Sequence, residues 1–151
     1  SNYAAKRQEL LIRKFELGGH TFRVRVPLVA ESDVMYRRIT DPASERVDAL
    51  YAQMTGPLMQ FKDGGGEGFQ FTDDDVLVEG RSMREAAKAK CMTEARITEF
   101  IKLLVPEQDG ASLDDLTYED IEAEWPLSVQ LALCEKIGEV IAPTYKEARG
   151  N

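Results

Sequence analysis

Few residues in this chain have the types and spacing that chemistry needs. The single histidine, His20, directly follows Gly18-Gly19. A Ser/His/Asp relay or a zinc site needs more imidazole or thiol than that, so His20 reads as an exposed turn residue. Cys91 and Cys134 lack a CxxC spacing and are too few for a disulfide framework. Both read as reduced thiols in a core or on a helix surface. The run Gly64-Gly65-Gly66-Glu67-Gly68 has the glycines of a phosphate cradle. No Gly-Lys-Ser/Thr follows it, and Glu67 would repel phosphate. Asp73-Asp74-Asp75 lacks the alternating ligands and closing glutamate of a calcium loop, and allows loose cation binding at most. The pairs Asp114/Asp115 and Glu119/Asp120 are explained by helix N-termini, whose partial positive charge they complement. Trp125 remains, before Pro126: either a core plug between two helices or an anchor for a bound partner. The expectation is a chain that is not an enzyme, with no catalytic residue, no cofactor and no metal. No cleft lined by convergent titratable groups is expected either.

The elements that must position these residues follow from periodicity. Phe22, Val24 and Val26 alternate with Arg23 and Arg25, with Phe15 and Leu17 in step across Gly18-Gly19. That is a β-hairpin over 15–26 with a tight turn, stopped by Pro27. From Leu28 the period becomes helical. Asp41-Pro42 reads as an N-cap with proline at the first helical position, Val47, Leu50, Tyr51 and Met54 repeat on one face, and Gly56-Pro57 ends the helix. Residues 69–78 hold two short apolar runs around the three aspartates, and the sequence leaves open whether they pair as a second small hairpin. Ser82-Met83-Arg84-Glu85 is a capping box opening the longest helix, which runs to about Leu104 before Pro106, with Ile97, Phe100, Ile101 and Leu104 on one face. Its alanine-rich first half is a candidate open surface. Thr117 caps a short helix ending at Trp125, and Pro126 starts another, with Leu127, Leu131, Cys134 and Gly138 on one face, ended by Pro143. The fold class expected is mainly α: a compact multi-helix domain at 15–143 with a short N-terminal β-hairpin. An N-terminal arm (1–14) precedes it and a flexible polar tail (144–151) follows. The leading Ser1-Asn2 reads as the scar of a removed purification tag.

Composition fits that class. The chain has 151 residues, 43% hydrophobic and 30% charged, enough to bury a core without staples. No apolar stretch approaches a membrane span, and nothing resembles a signal peptide. The net charge of −8 is unevenly placed. Residues 1–30 carry six bases against two acids, whereas nine acids and no base lie between Lys102 and Lys136. Such a block either keeps a surface solvated or steers a basic partner. The overall sign disfavours nucleic-acid phosphate.

The layout resembles a known family. The segment Phe15 to Arg25, of the form Phe-x-Leu-Gly-Gly-x-x-Phe-Arg-Val-Arg, leads into a helical body. An acidic stretch, a Trp125-Pro126 helix start and a short tail after Ile141-Ala142-Pro143 complete it. This is similar to the tail assembly chaperones of long-tailed bacteriophages and prophages. The resemblance implies a non-enzymatic assembly factor of the bacterial host cytoplasm that binds the helical tape measure protein during tail morphogenesis. It also implies a frameshifted C-terminal extension that recruits tail tube protein. The terminal Arg149-Gly150-Asn151 permits a G-GGA-AAC slippery heptamer in the coding strand. The expected partner surface includes Trp125, Leu127 and Leu131, together with the alanine-rich half of the long helix. A homo-oligomer is compatible; nucleic acid and membrane are not expected partners. Two other classes stay open: an acidic adaptor or inhibitor that binds a basic partner, and a structural virion subunit such as a head–tail connector.

Overall fold

The computed structural model describes residues 11–64 and 66–143. The N-terminal arm to residue 10, Gly65 and the tail 144–151 lie outside the described residues, and with them the terminal Arg-Gly-Asn. By internal packing the chain divides into two units, residues 1–36 with 96–151, and residues 37–95. Helices predominate, but β structure is more extensive than one hairpin.

The first unit starts with strands β1 (Ile12–Leu17) and β2 (His20–Arg25), antiparallel in the register Leu17↔His20 to Ile12↔Arg25. Gly18 and Gly19 take φ of 60° and 78°, the two successive left-handed residues that a two-residue turn matching strand twist requires. Phe15 and Val24 are buried, and the Phe15 and Phe22 rings stack at 5.3 Å. Pro27 then halts the ladder, and helix α1 (Val29–Thr40) begins, with Arg25 Nη1 2.5 Å from Glu31 Oε1 in its first turn. Two short helices form the C-terminal part, α4 (Tyr118–Glu124) and α5 (Leu127–Ile141). Thr117 caps α4 as expected: its hydroxyl accepts from Asp120 N–H and its own N–H donates to Asp120 Oδ2 at 3.0 Å. Trp125 is extended (φ −127°) and Pro126 precedes α5, since a proline ring disfavours helical geometry in the residue before it. Arg13 Nη1 donates to Val140 O at 2.8 Å, fastening β1 to the end of α5. A Cβ on Gly138 would lie 3.2 Å from Phe100 Cε2; α5 passes that close to the ring.

The second unit contains helix α2 (Ser44–Thr55), a 3₁₀ helix (Gly56–Phe61), and strands β3 (Phe69–Phe71), β4 (Val76–Val78) and β5 (Arg81–Ser82). The long helix α3 (Met83–Ile101) belongs to it as far as Ala95. Leu50, Ala87 and Cys91 are its buried cluster, with Val47, Tyr51 and Met54 packed against them; these are the apolar positions that periodicity assigns to the α2 face.

Five boundaries differ from expectation. The hairpin spans 12–25 instead of 15–26, because pairing continues to Ile12↔Arg25 and takes residues 12–14 from the segment expected as an arm (1–14). α2 starts at Ser44, not at Pro42, because Ala43 is extended (ψ 134°) and takes the N-cap place without a side-chain cap. Gly56-Pro57 does not end the helical path: Pro57 fits the first turn of the 3₁₀ segment, where its missing N–H costs nothing. The second hairpin exists and gains a third strand, giving the antiparallel order β3-β4-β5. Finally, α3 ends at Ile101 because residues 103–105 turn into an extended segment beside β2. Arg25 N–H donates to Leu103 O (2.8 Å), Val105 N–H to Arg23 O (2.9 Å), and Val24 bridges Leu104.

Candidate functional site

Three surface cavities of the first unit share one side chain, Trp125. The largest, about 480 Å³, lies between β2 and the segment after α3, where Phe22, Leu104, Val105, Pro106, Leu113 and Trp125 meet. Lys14, His20, Thr21, Arg23 and Glu107 complete its rim. A second, about 250 Å³, is walled by Ile101, Leu104, Leu116, Ile121 and Trp125, with Asp120 and Glu124 at its mouth. The third, about 320 Å³, is an apolar groove of Leu17, Phe22, Trp125, Val129, Ala132 and Leu133 between the hairpin turn and the first turns of α5. Trp125 is half-buried. Its place between all three follows from the local sequence: α4 ends before it, Pro126 forces it extended, and its ring projects from a junction instead of a helix face.

Gln130, 2% exposed, holds this junction together. Its amide Nε2 donates to Trp125 O (2.9 Å), and its Oε1 accepts from the Tyr118 hydroxyl (2.7 Å). A buried polar side chain satisfied at both ends fixes one geometry, because any other leaves a dipole unpaired. Neither Gln130 nor Tyr118 is singled out by sequence reasoning. The signal, a glutamine among the apolar residues of α5, has no meaning until its partners are brought near.

The expected partner residues do not all meet. Trp125 sits at the centre of the clefts, whereas Leu127 and Leu131 are 55% and 46% exposed and line none of these three. The α5 residues that do line the groove are Ser128, Val129, Ala132 and Leu133. The alanine-rich half of α3 contributes Ala87 and Cys91 to a core and leaves Lys88, Ala89 and Lys90 exposed.

The expectation of no cleft with convergent titratable groups needs correction, since Lys14, His20, Arg23 and Glu107 all border the largest cavity. His20 Nε2 lies 2.7 Å from Glu107 Oε1, with side chains 52% and 77% exposed. A contact so open to water contributes little to stability; it bridges the hairpin turn and the segment after α3. Both thiols are free and buried. Burial pushes each thiol pKa up, outweighing the opposing pull of Arg46 on Cys91 and of Arg96 on Cys134, so neither has the thiolate character that reactive cysteines need. Among the described residues no group of three or more His, Cys, Asp or Glu could hold a metal ion, and no helix is long and apolar enough to cross a membrane. Together these clefts offer apolar surface bordered by charge. Comparison with protein-family models, curated proteins and solved structures gives no match to the chain.

Proposed function

We propose that this chain is a tail assembly chaperone of a long-tailed bacteriophage or prophage, non-enzymatic and acting in the host cytoplasm. In that role it binds the helical tape measure protein until tube subunits enclose it. The observation that carries the reading is the half-buried Trp125 between three clefts with apolar walls and charged rims, on a junction fixed by Gln130. An amphipathic helix docks by laying spaced apolar side chains into such grooves, and tryptophan is over-represented among residues that dominate interface energy. The mainly helical character of the chain and its sequence resemblance support the same reading. Leu127 and Leu131, exposed on α5, extend the apolar surface that the helix covers.

The test is co-purification of the chain with the tape measure protein of the same phage or prophage. Trp125→Ala should weaken capture by about 2 kcal/mol if the residue is a hot spot, with unchanged thermal unfolding of the free chain. An unfolded variant would make Trp125 a core plug instead. Finished particles should lack the chain; finding it there would favour a structural virion subunit.

A further inference from the structure

We propose that the cleft beside Trp125 selects an acidic segment, a partner carboxylate resting on Lys14 and Arg23 while an adjacent apolar side chain packs against Trp125. The proposal rests on the reading of this surface as a helix-docking site and specifies what the docked helix carries.

The hairpin register sets Lys14 directly opposite Arg23. The main-chain groups of Arg23 and Arg25 bond outward, to Val105 and Leu103, so Lys14↔Arg23 is a non-hydrogen-bonded pair, the kind whose side chains stand closest together. Like charges in that position oppose strand pairing. Among the described residues neither cation has a salt-bridge partner. Two acids share their surroundings: Glu107 on the cavity rim contacts His20 at 2.7 Å, and Glu16, one same-face pair along the hairpin, accepts the Thr21 hydroxyl at 3.4 Å.

Two exposed cations set against each other therefore border a cleft whose walls are Leu104, Leu113 and Trp125. A carboxylate placed between them relieves their repulsion and gains charge-assisted hydrogen bonds. The chain as a whole works the other way, since its net charge is −8 and its field repels acids in general. A segment that places its carboxylate at this spot is spared that repulsion, which makes the contact selective. On a helical partner the acid belongs three or four residues from the apolar anchor, where the two side chains share a face.

Trp125 is the only tryptophan, so its emission reports occupancy of the cleft. The probes are two synthetic amphipathic peptides of roughly 14 residues, about four helical turns, with one leucine stripe flanked by glutamates in the first and by lysines in the second. Titrated into the full chain at low salt, the glutamate peptide should shift Trp125 emission and bind about tenfold tighter than the lysine peptide. Lys14→Glu with Arg23→Glu should reverse that order, and the milder Lys14→Gln should narrow it. Equal affinities, or tighter binding of the lysine peptide, overturn the inference and leave the docking site standing. No emission change with either peptide overturns it as well, and the docking reading is then decided by the Trp125→Ala capture experiment.

Discussion

Asp75 shows how much one carboxylate can organise. Its Oδ1 accepts the N–H groups of Val76 (2.8 Å) and Arg84 (3.1 Å), and its Oδ2 accepts the Ser82 hydroxyl. That hydroxyl oxygen in turn accepts from Glu85 N–H at 3.1 Å, half of the expected capping box. Asp75 thus joins β4 to the first turn of α3. Burial alone would raise its pKa; the hydrogen bonds from Ser82, Val76, Arg84 and Tyr51 outweigh it and hold the carboxyl below its ordinary 3.8. A depressed folded-state pKa contributes stability that is complete above the unfolded value and is lost as pH falls through the folded one. The second unit should therefore hold its Asp75-linked stability above pH 3.8 and lose it on further acidification. Asp75→Asn should cost about 1–3 kcal/mol, the usual range for removing a charged acceptor from satisfied donors, and should flatten that acid limb in thermal melts. Sequence reading reached the three aspartates but allowed them only loose cation binding. What distinguishes Asp75 is a set of donors up to nine residues further on, and no spacing rule reveals it.

At the scale of elements, legibility followed how local the cause was. The β1–β2 hairpin was readable because alternation and Gly18-Gly19 are both encoded within a dozen residues. The α4 cap at Thr117 was readable for the same reason, as its partner Asp120 is three residues away. The end of α3 was not: Ile101 ends the helix because residues 103–105 pair with β2, nearly eighty positions earlier in the chain. The start of α2 failed differently. Asp41-Pro42 satisfies the local rule, but Ala43 stays extended and no side chain caps the helix, a place where propensity is overridden. Thr117→Ala tests the local kind of cause. Losing the hydroxyl that accepts Asp120 N–H should cost about 1 kcal/mol and speed amide exchange at Glu119 to Ile121, with the hairpin unaffected. The Asp120 carboxyl, held low chiefly by the Thr117 N–H and then by its hydroxyl, should move back toward its ordinary value in the variant. Unchanged exchange there would mean that packing of Ile121, not the cap, sets the stability of α4.

For the whole molecule, the site was the least legible part, because it is assembled from distant pieces: Phe22 from β2, Leu113 from the segment before α4, and Val129 from α5. Trp125 could be named as a core plug or an anchor from its type and its proline neighbour, but not which α5 residues border it; Leu127 and Leu131 share a helical stripe with Cys134 without sharing the groove. The two cysteines offer a way to ask how the halves of the chain behave. Cys91 lies in the second unit and Cys134 in the first, and both are buried with raised pKa. Each should react with a thiol reagent only when its own surroundings open, since the native thiol is both inaccessible and protonated. The hydrogen-bond partners of Asp75, namely Val76, Ser82, Arg84 and Tyr51, lie in the second unit with Cys91. In single-thiol variants, Asp75→Asn should speed labelling of Cys91 several-fold and leave Cys134 unchanged if the units open separately. Equal acceleration of both would show that α3, which runs through both units, makes them unfold as one.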